Sequence, residues 1–127
     1  MIEKIALVAV GGALGAALRY LCVGWLTRLS GEPAFGTLFV NVAGSLLMGI
    51  CAVIMLERMP DAWSRLAPFA LTGVFGGFTT FSAFSLDVMR LFESDRIVWA
   101  AGYVSGSVIL SVCALASGVM AARAFLS

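Results

Sequence analysis

Three groups of polar residues lie inside long apolar stretches, where lipid penalises any polar group left unpaired. The first is Thr37, Asn41 and Ser45, spaced by four, so one helix face carries a polar stripe through apolar surroundings. An asparagine at mid-depth offers two N–H donors and an acceptor oxygen. The second group, Tyr103, Ser107 and Ser111, repeats that spacing. Stripes of this kind either bond to neighbouring helices, at about 0.6 kcal/mol each, or face one another and form a track for an ion. The third group is the segment Gly73-Val-Phe-Gly76-Gly77-Phe78-Thr79-Thr80-Phe81-Ser82-Ala-Phe84-Ser85. Glycine costs a helix about 1 kcal/mol relative to alanine, and a Gly-Gly pair followed by two threonines predicts a helix break at mid-membrane. Such breaks are tolerated only when buried or lining a cavity. Their freed carbonyls are ligands for hard cations, as in discontinuous transporter helices that hold Na⁺. Two breaks meeting on a dimer axis could cage one cation with four carbonyls. Phe81 and Phe84 share a face at spacing three. Ring edges carry partial positive charge and can face an anion, although lipid or core packing is the ordinary fate of a phenylalanine.

Arg19 stands about two turns short of the polar end of the first apolar stretch. A charge there must snorkel, pair, or line a wet cavity, and at the mouth of an aqueous vestibule it would attract anions. Gly11, Gly15 and Arg19 fall at spacing four, with Gly12 and Ala16 on the adjacent row, so close helix packing is the default role of those glycines. Asp87 lies near the end of the third apolar stretch, where a vestibule or surface position is expected. There is no histidine, which removes the commonest general base and transition-metal ligand. No phosphate-binding loop, paired carboxylates or mid-depth carboxylate is present, so the chain reads as a non-enzyme with no coupling to ATP or protons. Cys22, Cys51 and Cys113 are odd in number and lie in apolar stretches, which fits buried small hydrophobes rather than a disulfide framework.

These residues need elements to hold them. The chain has 127 residues, 61% hydrophobic and only 12% charged, with a mean hydropathy of +1.05. Soluble domains carry about 25% charged residues, so lipid must be the solvent for most of this surface. A span needs roughly 20 apolar residues, and the chain divides into four, with helices expected over about 4–28, 36–57, 67–92 and 97–124. The third begins near Pro68, a residue suited to a first helical turn. The apolar runs are continuous rather than alternating, which argues against a β-barrel. The expected fold is a single all-α domain, 1–127, of four transmembrane helices with both termini on one side. No room is left for a separate catalytic module, and a net charge of +1 points to no nucleic-acid partner.

Basic residues near span ends normally accumulate on the cytoplasmic side. Here Lys4, Arg58, Arg65 and Arg123 lie on the side of the termini, against Arg28, Arg90 and Arg96 on the other, with Arg19 as a fourth. So small a bias permits insertion in both orientations, and hence an antiparallel homodimer with its two-fold axis in the membrane plane.

Taken together, the segments resemble the Fluc, or CrcB, family of small fluoride channels. The likeness is carried by Gly11-Gly-Ala-Leu-Gly-Ala-Ala-Leu-Arg19-Tyr20, by Gly36-Thr-Leu-Phe-Val-Asn41 with Gly44 and Gly49, and by Gly73 and Gly76-Gly-Phe-Thr-Thr-Phe-Ser-Ala-Phe84. It runs through all four helices in order. Ala83 departs from the family, which often has threonine there. The resemblance implies an antiparallel dual-topology dimer with two separate pores, multi-pass in the bacterial inner membrane. Such a dimer would passively export cytoplasmic fluoride and give fluoride resistance. It implies that Asn41 is the pore asparagine and that Phe81 and Phe84 turn ring edges to fluoride. Tyr103, Ser107 and Ser111 would form the polar track, and Arg19 would lie near the vestibule. Gly76 and Thr79 would hold a structural Na⁺ at the dimer centre through backbone carbonyls. Thr80 and Ser82 are further hydroxyl donors at the break, and Thr37 extends the pore stripe. A small multidrug-type proton-coupled exporter shares the size and topology, but needs a membrane-embedded carboxylate where helix 1 carries Arg19. A non-transporting membrane subunit, in which the stripes only pack, is the other alternative.

Overall fold

The computed structural model covers residues 1–127. The chain is almost entirely helical, without strands. Four helices are long and apolar enough to cross a membrane: α1 (Ile2–Ser30), α2 (Pro33–Arg58), α3 (Trp63–Glu93) and α4 (Ile97–Leu126). This is the composition of a multi-pass integral membrane protein. Each helix continues past its apolar run into polar end residues such as Glu3, Arg58 and Glu93.

The connections are short because the residues in them turn the chain sharply. Gly31 takes φ +79° and donates its amide to the Thr27 carbonyl, which closes α1. Pro33 then opens α2 in its first turn. Between α3 and α4, Asp95 takes φ +56°, a conformation that aspartate tolerates better than most residues.

α3 differs from a simple span in two places. It starts at Trp63 rather than near Pro68, because residues 63–67 already make an α-helical turn. Pro68 therefore sits inside the helix, and Pro68–Phe75 winds as a wider π-helix. Proline brings no amide N–H to the ladder, and the wider winding begins there. Further along, Thr79 and Thr80 are extended, at ψ 160° and 125°. They separate α3a (residues 63–78) from α3b (Phe81–Glu93).

Two helix pairs form the most extensive interfaces, α2 with α4 and α1 with α3a. Both depend on glycine. A Cβ on Gly118 would collide with the Leu46 carbonyl and lie 3.2 Å from the Ile50 amide nitrogen; one on Gly49 would meet the Leu115 carbonyl. A Cβ on Gly15 would lie 2.8 Å from the Phe78 nitrogen. Backbones this close gain dispersion contact that larger residues would prevent. Ion pairs lock the ends. At the end bearing the termini, Glu3 pairs with Arg65 at 3.2 Å and Glu57 with Arg123 at 3.0 Å. At the opposite end, Glu32 pairs with Arg96 at 2.6 Å and Asp87 with Arg90 at 3.9 Å. The three pairs between helices are solvent-accessible at both partners and contribute about 0–1 kcal/mol each; α2 and α4 are joined by one at each end.

Only 16 of the 127 residues are buried within the chain, so most apolar side chains on α1 and α4 are left for lipid or a partner to cover. Gly118→Ala is expected to destabilise the fold by about 1–3 kcal/mol through overpacking. Gly106→Ala, whose Cβ meets nothing within 4 Å, should be neutral or stabilising. Thermal unfolding of the two variants in detergent checks this; equal midpoints would contradict the packing described.

Candidate ion pathway at the break in α3

A backbone that leaves the helical ladder inside a membrane must find partners for its amides and carbonyls. At this break Asn41 on α2 supplies two. Its Oδ1 accepts from the Thr80 amide at 2.7 Å, and its Nδ2 donates to the Thr80 carbonyl at 3.0 Å. An asparagine side chain matches a peptide group donor for acceptor, which is why this residue type serves here. One Nδ2 hydrogen remains available. Thr80 also starts α3b: its Oγ1 accepts from the Ala83 amide at 3.1 Å, an N-cap. The Thr80 oxygen is thus engaged as an acceptor, and its hydroxyl lies 3.3 Å from Ser82 Oγ.

The Thr80 and Ala83 amides would close turns onto the Gly76 and Thr79 carbonyls, but donate instead to Asn41 Oδ1 and Thr80 Oγ1. The Gly77 carbonyl is taken by Arg19 Nε at 2.9 Å. Arg19 is half-buried and makes a hydrogen bond while also lining a cavity of about 720 Å³ with Arg28, Thr37, Thr80 and Ala83. Ala83 therefore faces that cavity, away from the aromatic pair.

A separate groove of about 330 Å³ brings the stripes together. Its polar wall is Asn41 and Ser45 from α2, Thr79 and Thr80 from the break, and Ser107 and Ser111 from α4. Phe81 and Phe84 face the same space, joined by Met48, Val108 and Val112. Thr80 borders both the groove and the arginine-lined cavity. Ser107 Oγ is buried and has no hydrogen-bond partner, in a residue only 5% exposed. A buried hydroxyl without a partner costs about 1–3 kcal/mol, so it marks a place where an acceptor belongs. The two phenylalanine rings lie 5.4 Å apart at 48°. Phe84 is buried at 8% exposure, whereas Phe81 is 76% exposed; one wall of the groove is open within a single chain.

Some residues sit elsewhere. Thr37 is buried beside the arginine-lined cavity, and its hydroxyl donates to its own helix at the Pro33 carbonyl, 3.2 Å away. Tyr103 stacks on Phe84 with centroids 5.2 Å apart, and its hydroxyl donates to Asp87 Oδ2 at 3.2 Å. Gly76 and Ser82 do not line the groove. Asp87, expected at a vestibule or the surface, is instead buried at 5% exposure. The reason is helical register: Phe84, Asp87 and Leu91 share the face of α3b that packs inward, and Tyr103 and Arg90 satisfy the carboxylate. That spacing was readable in the sequence. The Asn41–Thr80 and Arg19–Gly77 bonds join residues 39 and 58 positions apart and had no local signal.

A family model described as CrcB-like protein, Camphor Resistance (CrcB), matches residues 6–119. The chain is 48% identical, over all of both sequences, to a protein of Cereibacter sphaeroides (strain ATCC 17029 / ATH 2.4.9) named fluoride-specific ion channel FluC. Proteins with the same name from Paracoccus denitrificans and Rhizobium meliloti are 50% and 46% identical. They align with 91% and 96% of this chain and with 91% and 98% of their own lengths. The sequence that pairs a helix-2 asparagine with a broken third helix therefore belongs to the CrcB family.

Proposed function

We propose that the chain is a fluoride-selective channel that lets cytoplasmic fluoride leave the cell down its gradient. The observation that carries this reading is the groove lined by Asn41, Ser45, Ser107 and Ser111, in which the buried Ser107 hydroxyl is left without a hydrogen-bond partner. The same groove is lined by Asn41, which has one N–H beyond its bond to Thr80, and by Phe81 and Phe84, whose ring edges would face the ion. These donors are neutral, so they can replace part of the water around a small anion without holding it as a fixed cation would. Conduction needs such a balance between entry and release. Arg19 and Arg28 line the adjoining cavity, where positive charge raises the local anion concentration. The relatives' name supplies the identity of the anion.

An antiparallel second copy completes the pore in this reading. The exposed Phe81 ring needs a cover that one chain does not provide, and two ion pairs at each end leave the two faces of the molecule closely matched in charge. The bacterial inner membrane is the corresponding location. A Na⁺ would be held by the Gly76 and Thr79 carbonyls, whose amide donors are engaged elsewhere; neutral backbone oxygens suit a hard monovalent cation. It would supply positive charge against the carbonyl dipoles of the break. The chain's own part is to keep those oxygens turned out of the helical ladder, through Asn41 and the Thr80 cap. A proton-coupled exporter would use a carboxylate open to its substrate, whereas Asp87 is buried beside Tyr103 and Arg90.

Proteoliposomes loaded with fluoride are expected to release it to an external electrode, with chloride retained. No release from well-reconstituted protein overturns the channel reading; equal chloride release overturns the selectivity alone. Ser107→Ala should lower fluoride flux by about tenfold, the equivalent of one hydrogen bond to an ion, while leaving the unfolding midpoint unchanged or raised, since no protein bond is lost. Phe81→Ile should cut flux at least as far without dissociating the dimer; wild-type rates would remove that ring from the pathway. Exchange of Na⁺ for N-methylglucamine during purification is expected to lower thermal stability. Unchanged stability with no sodium retained would count against the cation.

A further inference from the structure

The row Gly11, Gly15 and Arg19 on α1 faces α3a, and its last side chain ends on the break. The two glycines admit the backbone of α3a, and Arg19 Nε reaches the Gly77 carbonyl at 2.9 Å. Asn41 Nδ2 takes the Thr80 carbonyl from the other side, at 3.0 Å. Next to these two bonds, the Gly76 and Thr79 carbonyls have had their helical amide donors diverted. Two side chains from two different helices thus select which oxygens of the break stay open.

We infer that Arg19 is a positioning residue for the cation site: its Nε caps the Gly77 carbonyl, keeps that oxygen out of the ligand set, and fixes the turn that presents Gly76 and Thr79. This assignment rests on the reading of those two carbonyls as Na⁺ ligands. It separates two duties within one guanidinium. Nε serves the backbone, while the terminal nitrogens contribute charge to the cavity shared with Arg28. The duties can be uncoupled because glutamine carries its Nε2 the same number of bonds from Cα as arginine carries Nε, without the charge. Lysine keeps the charge but places its donor one bond further out.

The test titrates Na⁺ against the thermal unfolding midpoint of purified protein, with N-methylglucamine holding ionic strength constant. Arg19→Gln is expected to keep the wild-type half-saturating Na⁺ concentration within about twofold, while Arg19→Met raises it by about tenfold. If both variants shift alike, or neither shifts, the assignment to Nε is overturned. Should Arg19→Met fail to fold, Arg19→Lys replaces it: a shift in the lysine variant alone supports the assignment, and any other pattern overturns it. Absence of any Na⁺ response in the wild type overturns the cation reading itself, a result separable from failure of the Arg19 assignment.

Discussion

Peptide groups that leave a helix inside lipid must be paired by something other than water, and the architecture of this chain follows from how it meets that demand at residues 79 and 80. Asn41 pairs both sides of Thr80, the Thr80 hydroxyl caps α3b, and Arg19 takes the Gly77 carbonyl. The Asn41 and Arg19 bonds form only when α2 and α1 stand at fixed distances from the break. The glycines on α1, α3a, α2 and α4 set those distances by removing every side chain that would hold the backbones apart. The glycines at these contacts therefore serve the break, whereas Gly24, Gly102 and Gly106 meet nothing within 4 Å.

The same geometry brings the two polar stripes into one groove. α2 is held against α4 by the Gly49 and Gly118 contacts and by an ion pair at either end. Asn41 and Ser45 thus share a space with Ser107 and Ser111. The break lies across that space and contributes Thr79 and Thr80, and the start of α3b adds the two phenylalanines. α3b in turn leans on Tyr103 through Phe84 and Asp87. Each residue lining the groove stands on an element that also packs against a neighbouring helix, so the groove is a by-product of that packing.

Much of this was legible in the residue order. Apolar run length located four spans, spacing by four located the stripes, and the Gly-Gly-Phe-Thr-Thr segment marked the place where Thr79 and Thr80 become extended. Small residues on α1 pointed to close packing, and the structure places Gly15 against Val74 and Phe78. What stayed hidden was of two kinds. Register on α3b would have placed Asp87 beside Phe84 on the inward face, but proximity to the helix end suggested water instead. Pairing between distant residues, such as Arg19 with Gly77, depends on interhelical distances that no single helix encodes. Pro68 misled for a local reason: proline marks first turns often, yet here a preceding α-helical turn, Trp63–Ala67, lets it stand within the span.

The partnerless Ser107 hydroxyl also ties folding to traffic. In the proposed channel, an ion bound there would bind only the folded chain, so the transported species would act as a folding ligand and stabilise the protein by mass action. A residue that satisfied the hydroxyl permanently would strengthen the fold by roughly the 1–3 kcal/mol that a buried orphan costs, and would close the groove to its passenger. In the channel proposed above, selection for throughput would hold the chain below the stability its own packing allows, with the deficit localised at one oxygen atom.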